Sequence, residues 1–233
     1  MLKVKNNADS AELYIYGDIL DDGDAWTIDG IECPSDIKKQ LEECKGKPLT
    51  VYINSDGGSV PAGVAIANMI ARHDAPTLAI VDGWCCSIAT QIFFSADKRQ
   101  MPSNSYLMIH KPSCMVYGTS DDMLKAAESL EVIQSGLEEA YKKCALPDVT
   151  PEEIHAMVNE ETWLTGKQAA EKFDIEITEP LQAVAKFGTA RNRMRNIPKD
   201  IRFTQSIQTV NNKLIEQQKQ KIQNALELAK EIN

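Results

Sequence analysis

The sequence predicts an α/β protein built on a parallel sheet, and three observations carry that prediction. Short aliphatic and β-branched runs at 49–54 (LTVYIN), 76–83 (PTLAIVDG) and 105–110 (SYLMIH) have the length and texture of buried strands. Segments with small and aliphatic residues at helical spacing, 60–73 and about 86–96, lie between them. Strand–helix–strand–helix–strand at these lengths is a βαβ series with right-handed crossovers. Composition agrees: 43% apolar and 25% charged residues permit an ordinary core and exclude wholesale disorder, and aromatics at 6% make that core aliphatic.

The elements follow in order. Residues 12–19 (ELYIYGDI) alternate and predict the first strand. An acidic loop runs from 18 to 30. Its Asp18, Asp21, Asp22 and Asp24 lack the spacing and closing Glu of an EF-hand, so a solvated loop is expected rather than a calcium site. A short helix is expected over 34–44, with Ser35 as N-cap. After the three core strands, Thr119 to Asp122 cap a long amphipathic helix at about 120–145, carrying Met123, Leu124, Ala127, Leu130, Ile133 and Leu137. Pro147 stops it. A helix with Pro at its first position follows at 150–158, another begins at Thr165, and 174–178 reads as a last short strand. Beyond Pro180 the texture becomes basic and irregular. Residues 206–232 then read as a helix, with Ile207, Val210, Leu214, Ile222 and Leu226 forming an imperfect seam suited to a partner. This divides the chain into a body, 1–185, and a basic linker with a helical tail, 186–233.

Charge divides the chain in the same way. Residues 186–233 hold 10 basic and 4 acidic residues, whereas the rest holds 15 basic and 30 acidic. An acidic body argues against nucleic-acid binding. No apolar run approaches the roughly 18–20 residues of a membrane span, and the N-terminus has no signal-peptide core, so a cytoplasmic protein with no membrane partner is expected. Six cysteines without a CxxC pair read as reduced thiols, with neither disulfides nor a metal site expected.

Three features could carry chemistry. Ser87 sits between a strand and an apolar helix in DGWCCSIATQ, where a hydroxyl is exposed at the sheet edge. Cys85 and Ala89 occupy the glycine places of a GxSxG elbow, so an N-cap serine is the plain alternative. His110 ends a strand in LMIHKP, at the edge where open α/β sheets place their sites. His73 and His155 read instead as a helix-end and a solvated surface histidine. The SDGGS turn at 55–59 offers free amide N–H groups for an oxyanion or a phosphate, but lacks the nucleotide-binding glycine patterns. Together the three supply a hydroxyl, a base and oxyanion donors, the parts acyl transfer needs.

The same segments resemble the ClpP family of serine peptidases. INSDGGSVPAG (53–63) is similar to the family's glycine turn, GWCCSI (83–88) to its nucleophile turn, NSYLMIHKP (104–112) to its histidine strand and WLTGKQAAEKFDI (163–175) to its F-L-S/T region. The order is the family's, and the likeness spans about 12–180. It implies the ClpP/crotonase-like βαβ superhelical fold with a long handle helix, here followed by the helical tail. It implies Ser87 as nucleophile, His110 as general base, and the N–H groups of Gly58 and Ile88 as the oxyanion hole. Glu161 falls in the column of the family's acid, with Asn159, Glu160 and Asp174 as alternatives; its longer arm needs a different backbone position from an Asp. Cys85 and Cys86 only pack. No cofactor is implied. The resemblance further implies protein substrates and homo-oligomeric rings, heptamers stacked into a tetradecamer through the helix at 120–145.

The acidic loop, the NEETWLT region and the basic tail look most like the ClpP-type head maturation proteases of tailed phages, which process capsid or scaffold proteins within proheads. A host-type ClpP subunit working with an ATPase, an inactive assembly subunit and an enoyl-CoA hydratase-like enzyme are the alternatives.

Overall fold

The computed structural model describes residues 5–23 and 33–180. The expected linker and tail helix, and Asp24 of the acidic loop, lie outside the described residues. Eight strands and six helices are described: β1 Lys5–Asn6, β2 Ala11–Ile19, α1 Pro34–Glu43, β3 Leu49–Gly58, α2 Val60–Ala71, β4 Thr77–Cys86, α3 Ala89–Ser95, β5 Lys98–Pro102, β6 Tyr106–Ile109, α4 Ser120–Cys144, α5 Pro151–Asn159, β7 Thr162–Thr165, α6 Gly166–Ala170 and β8 Glu176–Thr178. Strands β2, β3, β4, β5 and β8 form a continuous parallel ladder, with β1 antiparallel on its outer edge.

Strand β4 belongs to two neighbourhoods. Its first half, Leu78 to Ile80, pairs with β5, and its last three residues, Trp84 to Cys86, pair in parallel with β6. A register shift separates the halves on the β3 side, where Ile53 faces Val81 but Ser55 faces Cys85. Asn54 covers the gap: its buried Oδ1 accepts from the Trp84 N–H at 3.1 Å, so the displaced backbone donor stays satisfied. The turn of the sheet therefore begins just below Ser87.

The core is aliphatic, as composition predicts. Leu13, Ile15, Val51, Ile53, Ala79 and Val81 on one sheet face pack with Ile66 and Ile70 of α2 and Ile92 and Phe93 of α3, all essentially inaccessible. Each such side chain contributes roughly 1.5–3 kcal/mol on burial. The sheet differs from a two-sided buried one, because burial alternates along β2 and β3. The other face carries half-buried Tyr14, Tyr16 and Tyr52, with Tyr14 and Tyr52 stacked at 4.9 Å.

Two local expectations change, and a third gains detail. The N-cap of α1 is Cys33 rather than Ser35; the Ser35 N–H is instead capped by Asp22 Oδ1 at 3.0 Å. Asp21 likewise accepts from Ser59 Oγ at 2.6 Å, so two of the loop's carboxylates tie down helix starts. The third is α4. Thr119 caps it in a reciprocal capping box with Asp122, as its sequence predicts. Yet the residues it buries are Gln134, Glu138, Tyr141 and Cys144, while Met123, Leu124, Val132 and Ile133 remain exposed. Leu137 packs on the core, whereas the apolar residues of the earlier turns, Met123 and Leu124, stay open to solvent.

Candidate active site

Strand register brings the site together. Cys86 faces Met108 across β4 and β6, and the Ser87 N–H donates to the Met108 carbonyl at 2.8 Å. Ser87 just past one strand therefore lies beside His110 just past the other. Strand β7 runs antiparallel to β6 with Thr162 opposite Ile109, so Glu161, one residue before β7, faces His110, one residue after β6. Two pairings thus align three residues that are far apart in sequence.

The side chains meet accordingly. His110 Nε2 lies 2.8 Å from Ser87 Oγ, a hydrogen bond. His110 Nδ1 lies 3.7 Å from Glu161 Oε2, an ion-pair separation longer than a hydrogen bond. The two side chains are only 16% and 11% exposed, which strengthens any charge interaction between them. Among the alternative acids, Asp174 pairs with Arg99 at 2.7 Å on the far strand, and Asn159 accepts from Gln134.

Ser87 is not a capping serine. Its φ is +55°, in the left-handed region that costs a residue with a Cβ about 1–2 kcal/mol. The turn is clamped at both ends: the Ser87 carbonyl accepts from the Thr90 N–H at 3.0 Å and from Thr90 Oγ1 at 2.6 Å, and Thr90 Oγ1 meets the buried Tyr141 hydroxyl of α4 at 2.7 Å. Glu161 is the other left-handed residue with a side chain among those described, at φ +54°. Both strained non-glycine residues flank His110.

The glycine turn lies against the serine turn. A Cβ on Gly57 would stand 2.8 Å from both the Cys86 carbonyl and Ser87 Cβ, and 3.2 Å from the Ile88 N–H nitrogen. A Cβ on Gly58 would overlap the Ile19 carbonyl, which accepts from Ser59 N–H at 2.7 Å. Only glycine permits this approach. The Gly57 N–H is engaged by Ser55 Oγ at 3.0 Å. A pocket of about 320 Å³ opens beside Gly58, walled by Leu20, Val60, Pro112, Leu130 and Ile133.

Cys85 and Cys86 are wholly inaccessible, and burial raises both thiols well above their ordinary range. They are therefore protonated and unreactive, in keeping with a packing role. All six cysteines are free thiols, and only Cys114 is exposed. Among the described residues no group of three or more His, Cys, Asp or Glu is arranged to hold a metal, and no helix is long and apolar enough to cross a membrane. His73 Nε2 donates to the Lys47 carbonyl at 2.8 Å, and His155 meets the buried carboxylate of Glu138 at 2.9 Å rather than water alone. Sequence reasoning missed Thr90, Tyr141, Gln134 and Glu138. The buried polar pair at i, i+4 inside an apparently apolar helix was the available signal.

The protein is an α/β fold whose parallel sheet turns at one strand end, and there a serine, a histidine and a carboxylate come together beside a glycine turn. The family described as Clp protease matches residues 38–173, more than half of the chain. The chain belongs to the Clp protease family. It is 29% identical over 130 residues to the ATP-dependent Clp protease proteolytic subunit 1 of Protochlamydia amoebophila, covering 54% of this chain and 62% of that protein. The match to proteolytic subunit 1 of Streptomyces avermitilis is 34% over 136 residues, covering 53% and 57%. The chain thus spans less than two thirds of the length of these curated relatives. A mutant of ClpP1 from Listeria monocytogenes has a similar solved structure, with a TM-score of 0.58 at 25% identity, covering 72% of this chain and 91% of that one.

Proposed function

We propose that the chain is a serine endopeptidase. Ser87 Oγ attacks the scissile carbonyl while His110 Nε2 takes its proton. The imidazolium so formed is stabilised by Glu161 on the Nδ1 side, and the N–H groups of Gly58 and Ile88 receive the oxyanion. His110 then returns the proton to the leaving amine, and water repeats the sequence on the acyl-enzyme. The observation that carries this reading is the 2.8 Å contact between Ser87 Oγ and His110 Nε2 on a strained, clamped turn. The engagement of Gly57 N–H by Ser55 favours Gly58 as the oxyanion donor of the pair. An acyl-CoA reaction would not need the serine–histidine contact.

The substrates in this reading are capsid or scaffold proteins of a phage head, cleaved by a ring of subunits stacked through α4. The acidic loop, the NEETWLT acid region and the basic 186–233 tail support that role. The exposed apolar stripe on α4 supports assembly. The second reading, a subunit serving an ATPase, is favoured by the names of the relatives, which are ATP-dependent Clp protease proteolytic subunits.

One experiment tests the reaction and the role. Wild type and Ser87→Ala are given a short fluorogenic peptide and a fluorophosphonate probe. The wild type hydrolyses the peptide and is labelled, while the variant folds and assembles but loses about 10⁴–10⁶ in rate and all labelling. A Ser87→Ala protein that cleaves at the wild-type rate overturns the mechanism. Co-expression with phage capsid and scaffold proteins, against incubation with a Clp ATPase and ATP, separates the two roles: cleavage of the head proteins without ATP supports the first, and ATP-dependent degradation supports the second.

A further inference from the structure

Helix α4 buries polar residues where it meets the body, and their hydrogen bonds lead to the catalytic acid. Gln134 is 7% exposed and Glu138 4%. The Gln134 amide has two protons, and Nε2 faces two acceptors: Glu138 Oε1 at 2.8 Å and Asn159 Oδ1 at 3.0 Å. Glu138 holds the amide in place and is itself met by His155 Nδ1 at 2.9 Å, with Lys142 Nζ at 3.9 Å. Buried polar groups are costly unless satisfied, and these bonds tie α4 to Asn159 and His155 of α5.

Asn159 is the last residue of α5, two positions before Glu161. The chain between them turns sharply. Glu160 N–H donates to the Ala156 carbonyl at 3.0 Å, Glu161 N–H reaches the Val158 carbonyl only at 3.4 Å, and Thr162 Oγ1 donates to the Met157 carbonyl at 2.8 Å. Glu161 then takes its left-handed conformation and points its carboxylate at His110. At 3.7 Å that carboxylate stands about 0.5 Å beyond hydrogen-bond range, so a small change in the turn decides whether the acid engages the imidazole. The same helix face holds the other end of the site, since Tyr141, seven residues on from Gln134, fixes the Ser87 turn through Thr90.

We propose that Gln134 is a positioning residue: through Asn159 it fixes the turn that carries Glu161, and so sets the approach of Glu161 to His110. This rests on the serine peptidase reading with Glu161 as the acid. The test is a double-mutant cycle on peptide hydrolysis by the full chain. Gln134→Met removes both donors at nearly constant volume. Asn159→Ala removes the same bond from the exposed side and leaves the buried Glu138–Gln134 contact intact, so it keeps the fold should Gln134→Met fail to.

Each single change is expected to lower kcat about tenfold while KM stays within about twofold, because only the alignment of the acid is lost. In a Glu161→Gln background neither should cost more than about twofold further, since no carboxylate remains to be aligned. A loss merely due to weakened structure would recur in both backgrounds. The inference is overturned if Asn159→Ala retains the wild-type kcat, or if the loss is the same with Glu161→Gln present. Those results leave the peptidase reading standing. A Glu161→Gln protein with the wild-type rate would instead remove the acid's assignment, and this inference with it.

Discussion

Replacing Gly57 by alanine isolates how closely the glycine turn must approach Ser87, the proposed nucleophile. Gly57 has φ +95°, and its added Cβ would stand 2.8 Å from Ser87 Cβ and from the Cys86 carbonyl. Carbon atoms rest at about 3.5–4.0 Å, so one turn must retreat by about 0.7 Å. Nothing flexible lies in the way to absorb that movement, since the contacts are backbone and a Cβ. The Ser87 turn is held by Met108 and Thr90, so its displacement tilts Oγ away from His110. The 2.8 Å contact would open to about 3.5 Å, outside hydrogen-bond range. A misplacement of this size costs about 10²-fold in kcat. Gly46→Ala is the control. Gly46 has φ +76° but nothing within 4 Å of an added Cβ, so it carries the conformational cost of about 1–2 kcal/mol without the clash. Peptide kcat, fluorophosphonate labelling rate and urea midpoints are measured for both. Gly46→Ala should lower only the midpoint, and Gly57→Ala should lower the midpoint further and the rate about 10²-fold. A Gly57→Ala enzyme within about twofold of the wild-type kcat, or an equal rate loss in Gly46→Ala, would refute the reasoning.

Two further outcomes are expected. Leu130→Asp with Ile133→Asp places charge on the unpartnered face of α4 and should split the proposed assembly; light scattering reads it, and an unchanged particle mass counts against α4 as the contact. Asp97 accepts from the Thr77 N–H at 2.8 Å and from its hydroxyl at 3.0 Å, and these bonds lower its pKa below 3.8. A depressed folded-state pKa gives stability that is present above 3.8 and lost as pH falls through the lower value. The stability difference between wild type and Asp97→Asn should therefore be constant from about pH 5 to 7 and shrink below 3.8 in urea titrations, whereas a difference independent of pH would show that the carboxylate's charge is not involved.

Much of the fold was legible because its central strands are short, aliphatic and separated by helices of ordinary length. LTVYIN, PTLAIVDG and SYLMIH each became a strand, though β3 and β4 run on through the SDGG and GWCC segments. What the pattern hides is pairing in place of burial. Strands β5 (KRQMP) and β7 (TWLT) went unread because their positions are set by hydrogen bonds to β4, β8 and β6, not by apolar alternation. Helix α4 was read from its apolar stripe, as a handle between rings, and its polar contacts with the body went unread. Its buried contacts turn out to be Gln134, Glu138 and Tyr141, since hydrophobic spacing says nothing of polar groups satisfied by one another. Ser87 and His110 were legible as strand-end residues. Their distance was not, because it depends on β4 and β6 being neighbours.

That neighbourhood explains why the site needs so little of the chain's length. Once β4 leaves β5 and takes up β6, Cys86 is fixed opposite Met108 and Ile109 opposite Thr162. The next residue of each strand then falls at the common edge: Ser87, His110 and, from the antiparallel side, Glu161. Strand register alone leaves each side chain free to point along the edge instead of across it. The two left-handed residues resolve that freedom, since φ near +55° swings Ser87 and Glu161 out of the strand direction and toward His110 from opposite sides. The strain of each is sustained by hydrogen bonds around it, those of Met108 and Thr90 at the serine and of Thr162 and Asn159 at the acid. Glu161 thereby comes to 3.7 Å from the imidazole, at the end of a turned backbone. The site is thus a property of the sheet's turn and of the helix α4 that braces both ends of it.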